Sequence, residues 1–197
     1  MLSNRITDSE MVQALVSTVD AKDEYTNGHS NRVADYSVML AKELGKSKQE
    51  QELIYDMALL HDIGKVGIPD RVLKKPARLT DEEYKLIKEH TVIGAGILEN
   101  VKSLPHLGDG ARWHHERYDG TGYPDGLKGS EIPEYARIIC VADAYDAMTS
   151  IRAYSDIRPQ KTVRHEIEKG AGSQFDPAIA EAMLRLIDRD TDYRMHG

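Results

Sequence analysis

Apolar residues recur at helical spacing along most of this chain of 197 residues, and stretches that alternate between apolar and polar residues are lacking. Val33, Leu40 and Leu44 follow helical spacing after His29, and Gly45 stands where a glycine commonly ends a helix. A half-buried strand needs alternation with a period of two, so the sequence offers no pattern for a sheet. We therefore predict an all-α fold. No repeat or linker divides the chain, and residues 1–197 are expected to form a single compact domain.

Local signals predict where other helices begin. Thr80 and Glu83 form a capping box, in which each side chain binds the backbone N–H of the other residue. Asp176 followed by Pro177 is typical of an N-cap with proline in the first turn. Further helices are expected from about Ser9, from about Lys48 to Leu60, and from about Pro133 through Tyr145.

Two segments are predicted to be loops. Residues 64–69 leave the second helix, and residues 117–129 contain four glycines and a proline, too many for a helix. A long glycine-rich loop inside a compact domain is more often functional than not.

Composition limits the classes of partner. The net charge of −7 argues against binding of polymeric nucleic acid, because phosphate backbones are held by surplus lysine and arginine. No apolar run approaches the ~18 residues that a membrane helix needs, and no signal peptide is expected. The single cysteine, Cys140, lies in an apolar stretch and is interpreted as a small buried hydrophobe. A cytoplasmic protein is expected.

Five histidines and two aspartates stand where metal ligands are plausible. Asp143 is a charged residue in the middle of a predicted apolar helix, and His61 and Asp62 directly follow an apolar run. Charged residues are rarely buried unless they are paired or bind a metal. A single histidine is more often an ordinary core or surface residue, but seven such residues at apolar helix segments or helix ends are hard to explain separately. The candidate ligands are His29, His61, Asp62, His90, His114, His115 and Asp143.

The donor types narrow the choice of metal. Imidazole and carboxylate without thiolate suit iron, manganese, zinc or similar divalent ions. The seven candidates are too many for one ion, whereas two ions that share a carboxylate use them all, and paired ions are a known arrangement for phosphoryl chemistry. Helices of a bundle can direct such side chains to one point in the core.

The order and spacing of these residues resemble those of a known family. From about Thr18 to Leu186 the chain resembles the HD-GYP family, a subgroup of the HD metal-dependent phosphohydrolases. The triplet Gly122-Tyr123-Pro124 distinguishes this subgroup from other HD enzymes. The motifs that carry the resemblance are Asn27-Gly-His-Ser-Asn-Arg-Val33, His61-Asp-Ile-Gly-Lys-Val-Gly-Ile-Pro69, Glu89-His90, His114-His-Glu-Arg-Tyr-Asp-Gly-Thr-Gly-Tyr-Pro124 and Val141-Ala-Asp-Ala-Tyr-Asp146.

The resemblance implies a metal site in the core of an HD-type helical domain. Asp62 would bridge two ions, iron or manganese by preference, and a hydroxide between the ions would be the nucleophile. Lys65 matches the family lysine that reaches the scissile phosphate; its alternative interpretation is an ordinary surface charge. One ion would be held by His29, His61 and Asp143, and the other by His90, His114 and His115. The implied substrate contacts are Gly122, Tyr123, Pro124 and Arg152.

Two departures from the family pattern have consequences. Tyr25 stands where members with a third metal carry glutamate, so two ions are expected and not three. Ser155 stands where the family often has a basic residue, which removes one phosphate partner. Such domains commonly follow a sensory or receiver module, and an upstream regulatory domain or a homodimer is left open.

The implied activity is hydrolysis of cyclic di-GMP to the linear dinucleotide, with GMP as a further product left open. A second hypothesis is an HD phosphohydrolase that acts on another nucleotide or cyclic dinucleotide. A third is a binding module that has lost its chemistry and signals through protein contacts. The Gly122-Tyr123-Pro124 loop favours the first hypothesis over the second, and the complete set of candidate ligands disfavours the third.

Overall fold

The computed structural model describes residues 12–19, 22, 28–102, 104–150 and 157–195. Over these residues the protein is all-α, as predicted, and they contain no strand beyond one isolated bridge between Ala171 and Phe175. Residues 12–19 are helical. The helices that follow are α1 (His29–Glu43), α2 (Lys48–Leu59), α3 (Asp70–Leu73), α4 (Asp81–Leu98), α5 (Leu107–Trp113), α6 (Glu134–Thr149), α7 (Gln160–Gly170) and α8 (Pro177–Arg189).

The helices predicted from about Lys48 and about Pro133 begin at Lys48 and Glu134, whereas Ser9 lies outside the described residues. The predicted starts at Thr80 and Asp176 are confirmed, and each of these two rests on local hydrogen bonds. Thr80 Oγ1 accepts from the backbone N–H of Glu83 at 3.2 Å, and the Glu83 carboxylate accepts from that of Thr80 at 2.8 Å. Asp176 Oδ1 accepts from the N–H of Ala178 at 2.8 Å. Ser47 caps α2 with a further capping box, which the sequence analysis did not predict.

Gly45 ends α1 as predicted. Its φ of 74° is in the left-handed region, a conformation that glycine adopts without steric cost. The N–H of Lys46 donates to Ala41 O at 2.9 Å and the N–H of Gly45 donates to Lys42 O at 3.0 Å. This pair of bonds is a Schellman motif, and it turns the chain directly into α2.

The core lies where α1 packs against α2 and α6, while α4 packs against α5. Leu40, Met57 and Ile138 are fully buried there, and Tyr36 meets Tyr145 edge to face at 4.9 Å between ring centroids. Cys140 is buried among these apolar residues, as predicted. In the described part of the chain, no helix combines the length and the apolar character needed to cross a membrane.

The segment after α2, predicted to be a loop, is in fact a 3₁₀ helix, η1 (Ile63–Gly67). It packs directly on α4. A Cβ on Gly64 would lie 1.8 Å from His90 O and 2.5 Å from Gly94 N, so only glycine permits this approach. The close packing brings the residues around Gly64 against the helix that carries His90.

Candidate metal centre

Five separate parts of the chain contribute side chains to one buried cluster. His29 is the first residue of α1, and His61 and Asp62 follow Leu60, the residue that caps α2. His90 lies in α4, whereas His114 and His115 follow α5. Asp143 lies in α6. All seven predicted ligands are therefore brought together, although they span more than half of the chain.

Asp62 lies at the middle of this cluster, and its two oxygens face different histidines. Oδ2 is 3.4 Å from His61 Nε2 and 3.8 Å from His29 Nε2. Oδ1 is 3.4 Å from His90 Nε2 and 3.9 Å from His114 Nε2. A carboxylate in this position can bind one cation through each oxygen.

The remaining donors form two groups on either side of Asp62. In each group, the potential ligand atoms lie within 4.8 Å of one another. His29 also approaches Asp143, with 3.4 Å between Nε2 and Oδ1. The two groups are His29, His61 and Asp143 on one side, and His90, His114 and His115 on the other.

The outer ring nitrogens of three of the histidines face hydrogen-bond acceptors. His61 Nδ1 is 2.6 Å from Ala58 O, His90 Nδ1 is 2.6 Å from Ile87 O, and His114 Nδ1 is 3.0 Å from a backbone carbonyl. Because a carbonyl oxygen only accepts, Nδ1 must carry the proton in each ring. The lone pair of a neutral ring is then on Nε2, the atom that faces Asp62, as in second-sphere hydrogen bonds at known metal sites.

Burial alone would lower the pKa of His29, but the hydrogen bond to Asp146 and the charges of Asp143 and Asp62 outweigh it and raise that pKa. Burial dominates at three other imidazoles of the cluster and favours their neutral form. It lowers the pKa of His115 to about 4, despite the opposing effect of Asp143. It lowers the pKa of His114 well below its ordinary value and lowers that of His90 as well. Burial alone would raise the pKa of Asp62, but the opposing charges, of which that of Lys65 has the largest effect, hold that pKa well below its usual range. Neutral imidazoles around an ionised carboxylate are the protonation states that a divalent cation requires.

Asp146 contacts a candidate ligand, and the sequence analysis assigned it no role. It is fully buried, and its Oδ2 accepts from His29 Nδ1 at 2.7 Å while Oδ1 accepts from Arg32 Nε at 2.6 Å. Asp146 follows Asp143 by three residues and lies on the same face of α6, and this spacing could have identified it from the sequence. Asp146 orients the His29 ring toward Asp143.

Lys65 contacts the cluster directly. Its Nζ is 2.8 Å from Asp62 Oδ2, and its side chain is only 17% exposed. The alternative interpretation of Lys65 as an ordinary surface charge does not fit this burial and this contact.

The glycine-rich loop packs against the cluster and is irregular over residues 117–128; the predicted loop ran to Gly129, which instead begins a short 3₁₀ helix (Gly129–Glu131). Buried Glu116 anchors it by accepting from the N–H groups of Asp125 and Gly126 at 2.7 and 2.9 Å. A Cβ on Gly122 would lie 2.3 Å from Arg117 N, so the loop can fold back only with glycine there.

The loop places one aromatic ring on the candidate ligand His115. Tyr123 stacks on His115, with ring centroids 4.8 Å apart and planes inclined by 27°. Gly122 and Pro124 flank this tyrosine. Of the other residues named from the sequence, Arg152, Ser155 and Tyr25 lie outside the described residues.

The chain is similar to known proteins over most of its length. The sequence profile of the HD domain matches residues 13–179. A cyclic di-GMP phosphodiesterase of Thermotoga maritima is 44% identical over 186 residues, which are 93% of this chain and 50% of that protein. A 3′3′-cGAMP-specific phosphodiesterase of Vibrio cholerae is 36% identical over 190 residues, which are 95% of this chain and 36% of that protein.

The fold is also that of solved structures. A cyclic GMP-AMP specific phosphodiesterase of V. cholerae superposes with a TM-score of 0.72 at 21% identity, over 92% of this chain and 49% of the other. The HD domain of an L. monocytogenes phosphodiesterase, in complex with cyclic-di-AMP, superposes with a TM-score of 0.63 at 21% identity, over 92% of this chain and 98% of the other. The chain spans half or less of the length of the curated relatives described above.

Proposed function

The chain belongs to the HD-domain family, in its HD-GYP subgroup, and on this premise we propose that it is a metal-dependent phosphodiesterase that hydrolyses cyclic di-GMP. The observation that carries the proposal is the position of Asp62 between two sets of histidines. Tyr123 of the glycine-rich loop stacks on His115, which belongs to one of these sets. The 44% identity to a relative named for cyclic di-GMP supports this substrate.

Members of this family use divalent metals, and the donors present fit that use. We propose two ions, iron or manganese, with Asp62 shared between them. His29, His61 and Asp143 would hold one ion, and the three histidines on the other side of Asp62 would hold the second. When bound, such ions neutralise charge on a phosphate and lower the pKa of water. Nitrogen and oxygen donors without thiolate suit these metals, since the one cysteine is buried in the core.

The chain's own residues would position the substrate. Lys65 lies beside Asp62 and is proposed to donate to an oxygen of the scissile phosphate, where its charge stabilises the transition state. Tyr123, between Gly122 and Pro124, is proposed to form a wall of the substrate pocket over His115. Arg152 is proposed as a further cationic contact to the ligand.

A second candidate substrate is 3′3′-cGAMP. Relatives named for that dinucleotide are 36–37% identical to this chain. Both molecules are cyclic dinucleotides with two phosphodiester groups, so the metal ligands alone do not discriminate between them.

Product analysis tests the proposal. Protein loaded separately with iron and with manganese is incubated with cyclic di-GMP and with 3′3′-cGAMP, and the products are separated by chromatography. We expect linear dinucleotide from cyclic di-GMP, at a higher kcat/KM than from 3′3′-cGAMP. Faster cleavage of 3′3′-cGAMP would favour the second candidate, and no cleavage of either compound with either metal would refute the proposed activity.

Metal analysis tests the proposed count. Anaerobically purified protein should contain close to two equivalents of metal per chain. A reproducible value near three, or near zero after reconstitution, would contradict the assignment of ligands.

A further inference from the structure

Two tyrosines and one lysine form a cluster beside the candidate metal centre. Lys88 and Tyr84 lie one turn apart on α4, with Lys88 Nζ 4.9 Å from the centroid of the Tyr84 ring. The same ammonium is 4.9 Å from the centroid of the Tyr123 ring. We call Tyr84, Lys88 and Tyr123 the Tyr–Lys–Tyr cluster. Because Tyr123 stacks on His115, the cluster lies one ring away from the metal ligands.

The environment of Lys88 is unusual for a lysine of this protein. Lys65 lies 2.8 Å from a carboxylate oxygen of Asp62, and Lys75 lies 2.6 Å from one of Glu83. Lys88 instead rests on two aromatic rings, and no described carboxylate lies within ion-pair distance of it. Cation–π contacts at exposed sites are weak compared with charged hydrogen bonds. The ammonium can therefore move from the rings to an anion with little loss.

Tyr84 offers a second kind of contact. Its side chain is 45% exposed, which is high for a large aromatic residue of this protein. The Tyr84 hydroxyl also lies close enough to Tyr123 to contribute, after burial, to the raised pKa of Tyr123. An exposed aromatic ring beside a cation is the combination that binds a nucleobase by stacking and its phosphate by charge.

We propose that Lys88 binds the second, uncleaved phosphate of a cyclic dinucleotide and that Tyr84 stacks on one of its bases. This inference rests on the proposed function, because only a ligand with two phosphates needs a cation beyond the metal centre. While one phosphate lies at the metal ligands, the other must meet protein groups. Lys88 is well placed to do so, since one tyrosine ring separates it from His115.

Equilibrium binding tests the role of the charge. Chelator-treated protein, which cannot turn over substrate, is titrated with cyclic di-GMP. Lys88→Ala should raise the Kd about tenfold or more, the scale of one charged hydrogen bond, and Lys88→Arg should restore most of the affinity. The matched control is Lys85→Ala, which removes the same charge from an exposed position of the same helix and should change the Kd less than twofold.

A second substrate separates this subsite from the metal centre. Bis(p-nitrophenyl) phosphate contains one phosphate and no base, so metal-loaded Lys88→Ala should hydrolyse it at the parent rate. Tyr84→Leu should weaken cyclic di-GMP binding, whereas Tyr84→Phe, which keeps the ring, should not.

The outcomes distinguish the two proposals. If the parent binds cyclic di-GMP and Lys88→Ala binds equally well, the subsite is refuted and the proposed function stands. The subsite is also refuted if Lys88→Ala loses activity on both substrates in parallel. If the parent neither binds nor cleaves any cyclic dinucleotide, the proposed function itself fails, and this subsite fails with it.

Discussion

Asp146 accepts a hydrogen bond from Nδ1 of His29 at 2.7 Å, while Nε2 of the same ring lies 3.4 Å from Asp143. The two aspartates lie one turn apart on α6 and hold the imidazole between them. A carboxylate only accepts, so Asp146 requires the proton on Nδ1 and leaves Nε2 for a metal. Outer carboxylates of this kind both orient a histidine ligand and increase its basicity.

Asp146→Asn should therefore weaken metal binding about 10- to 100-fold without unfolding the protein. Competition with a coloured chelator measures the affinity, and circular dichroism checks the fold. Asp35→Asn is the matched control, since it removes the same charge from an exposed position of α1. Unchanged metal affinity in Asp146→Asn would show that the His29 ring is oriented by its other neighbours.

Substitutions at Asp62 and Lys65 should separate metal ligation from phosphate recognition. Asp62→Ala removes the carboxylate that faces both sets of histidines and should abolish metal binding and turnover together. Lys65→Ala should keep its metals but slow the turnover of cyclic di-GMP about 100-fold, the usual scale for loss of a charge-stabilising donor. Elemental analysis and steady-state kinetics on the same samples give both quantities. Loss of metal from Lys65→Ala would instead mean that Lys65 acts by holding Asp62, which it contacts at 2.8 Å.

A pair of glycine substitutions should test the packing of η1 on α4. Gly64→Ala should destabilise the protein by about 3 kcal/mol or more, because its Cβ would lie 1.8 Å from His90 O in a backbone contact that cannot relax. Gly96→Ala, in an open position of the same α4, should raise the free energy of unfolding by about 0.5–1 kcal/mol. Urea denaturation measures both changes. Equal stability of the two variants would contradict the close approach at Gly64.

Cys140 should be unreactive in the folded protein. Burial raises the pKa of its thiol to about 12, so at pH 8 only about one molecule in 10⁴ carries the reactive thiolate. Labelling with iodoacetamide at pH 8, followed by mass spectrometry, should be slow for native protein and rapid in guanidinium chloride. Rapid labelling of the native protein would place Cys140 at the surface.

The helix ends were predictable from sequence because their interactions are local. The capping box of Thr80 and Glu83 and the cap formed by Asp176 join groups two or three residues apart, so the motif contains all the atoms that stabilise it. The conformation of residues 63–67 was not predictable in the same way. They form a 3₁₀ helix against α4, and the reason lies at His90, in a different helix.

The same distinction applies to the site. Sequence identified the seven candidate ligands, since a histidine or aspartate in an apolar helix is visible without coordinates. It did not assign Asp146, whose partner His29 lies 117 positions away along the chain, or the contact of Lys88 with Tyr123. Those roles depend on which helix faces meet.

The sequence by itself thus determined the all-α class, the helix starts at Thr80 and Asp176 and the chemical types of the donors, because each follows from side chains within a few residues of one another. Only the tertiary structure decided that one oxygen of Asp62 faces His61 and the other faces His90, at 3.4 Å each. Such distances depend on how α2 and α4 pack through η1, and that packing is set by long-range contacts such as the one that Gly64 permits.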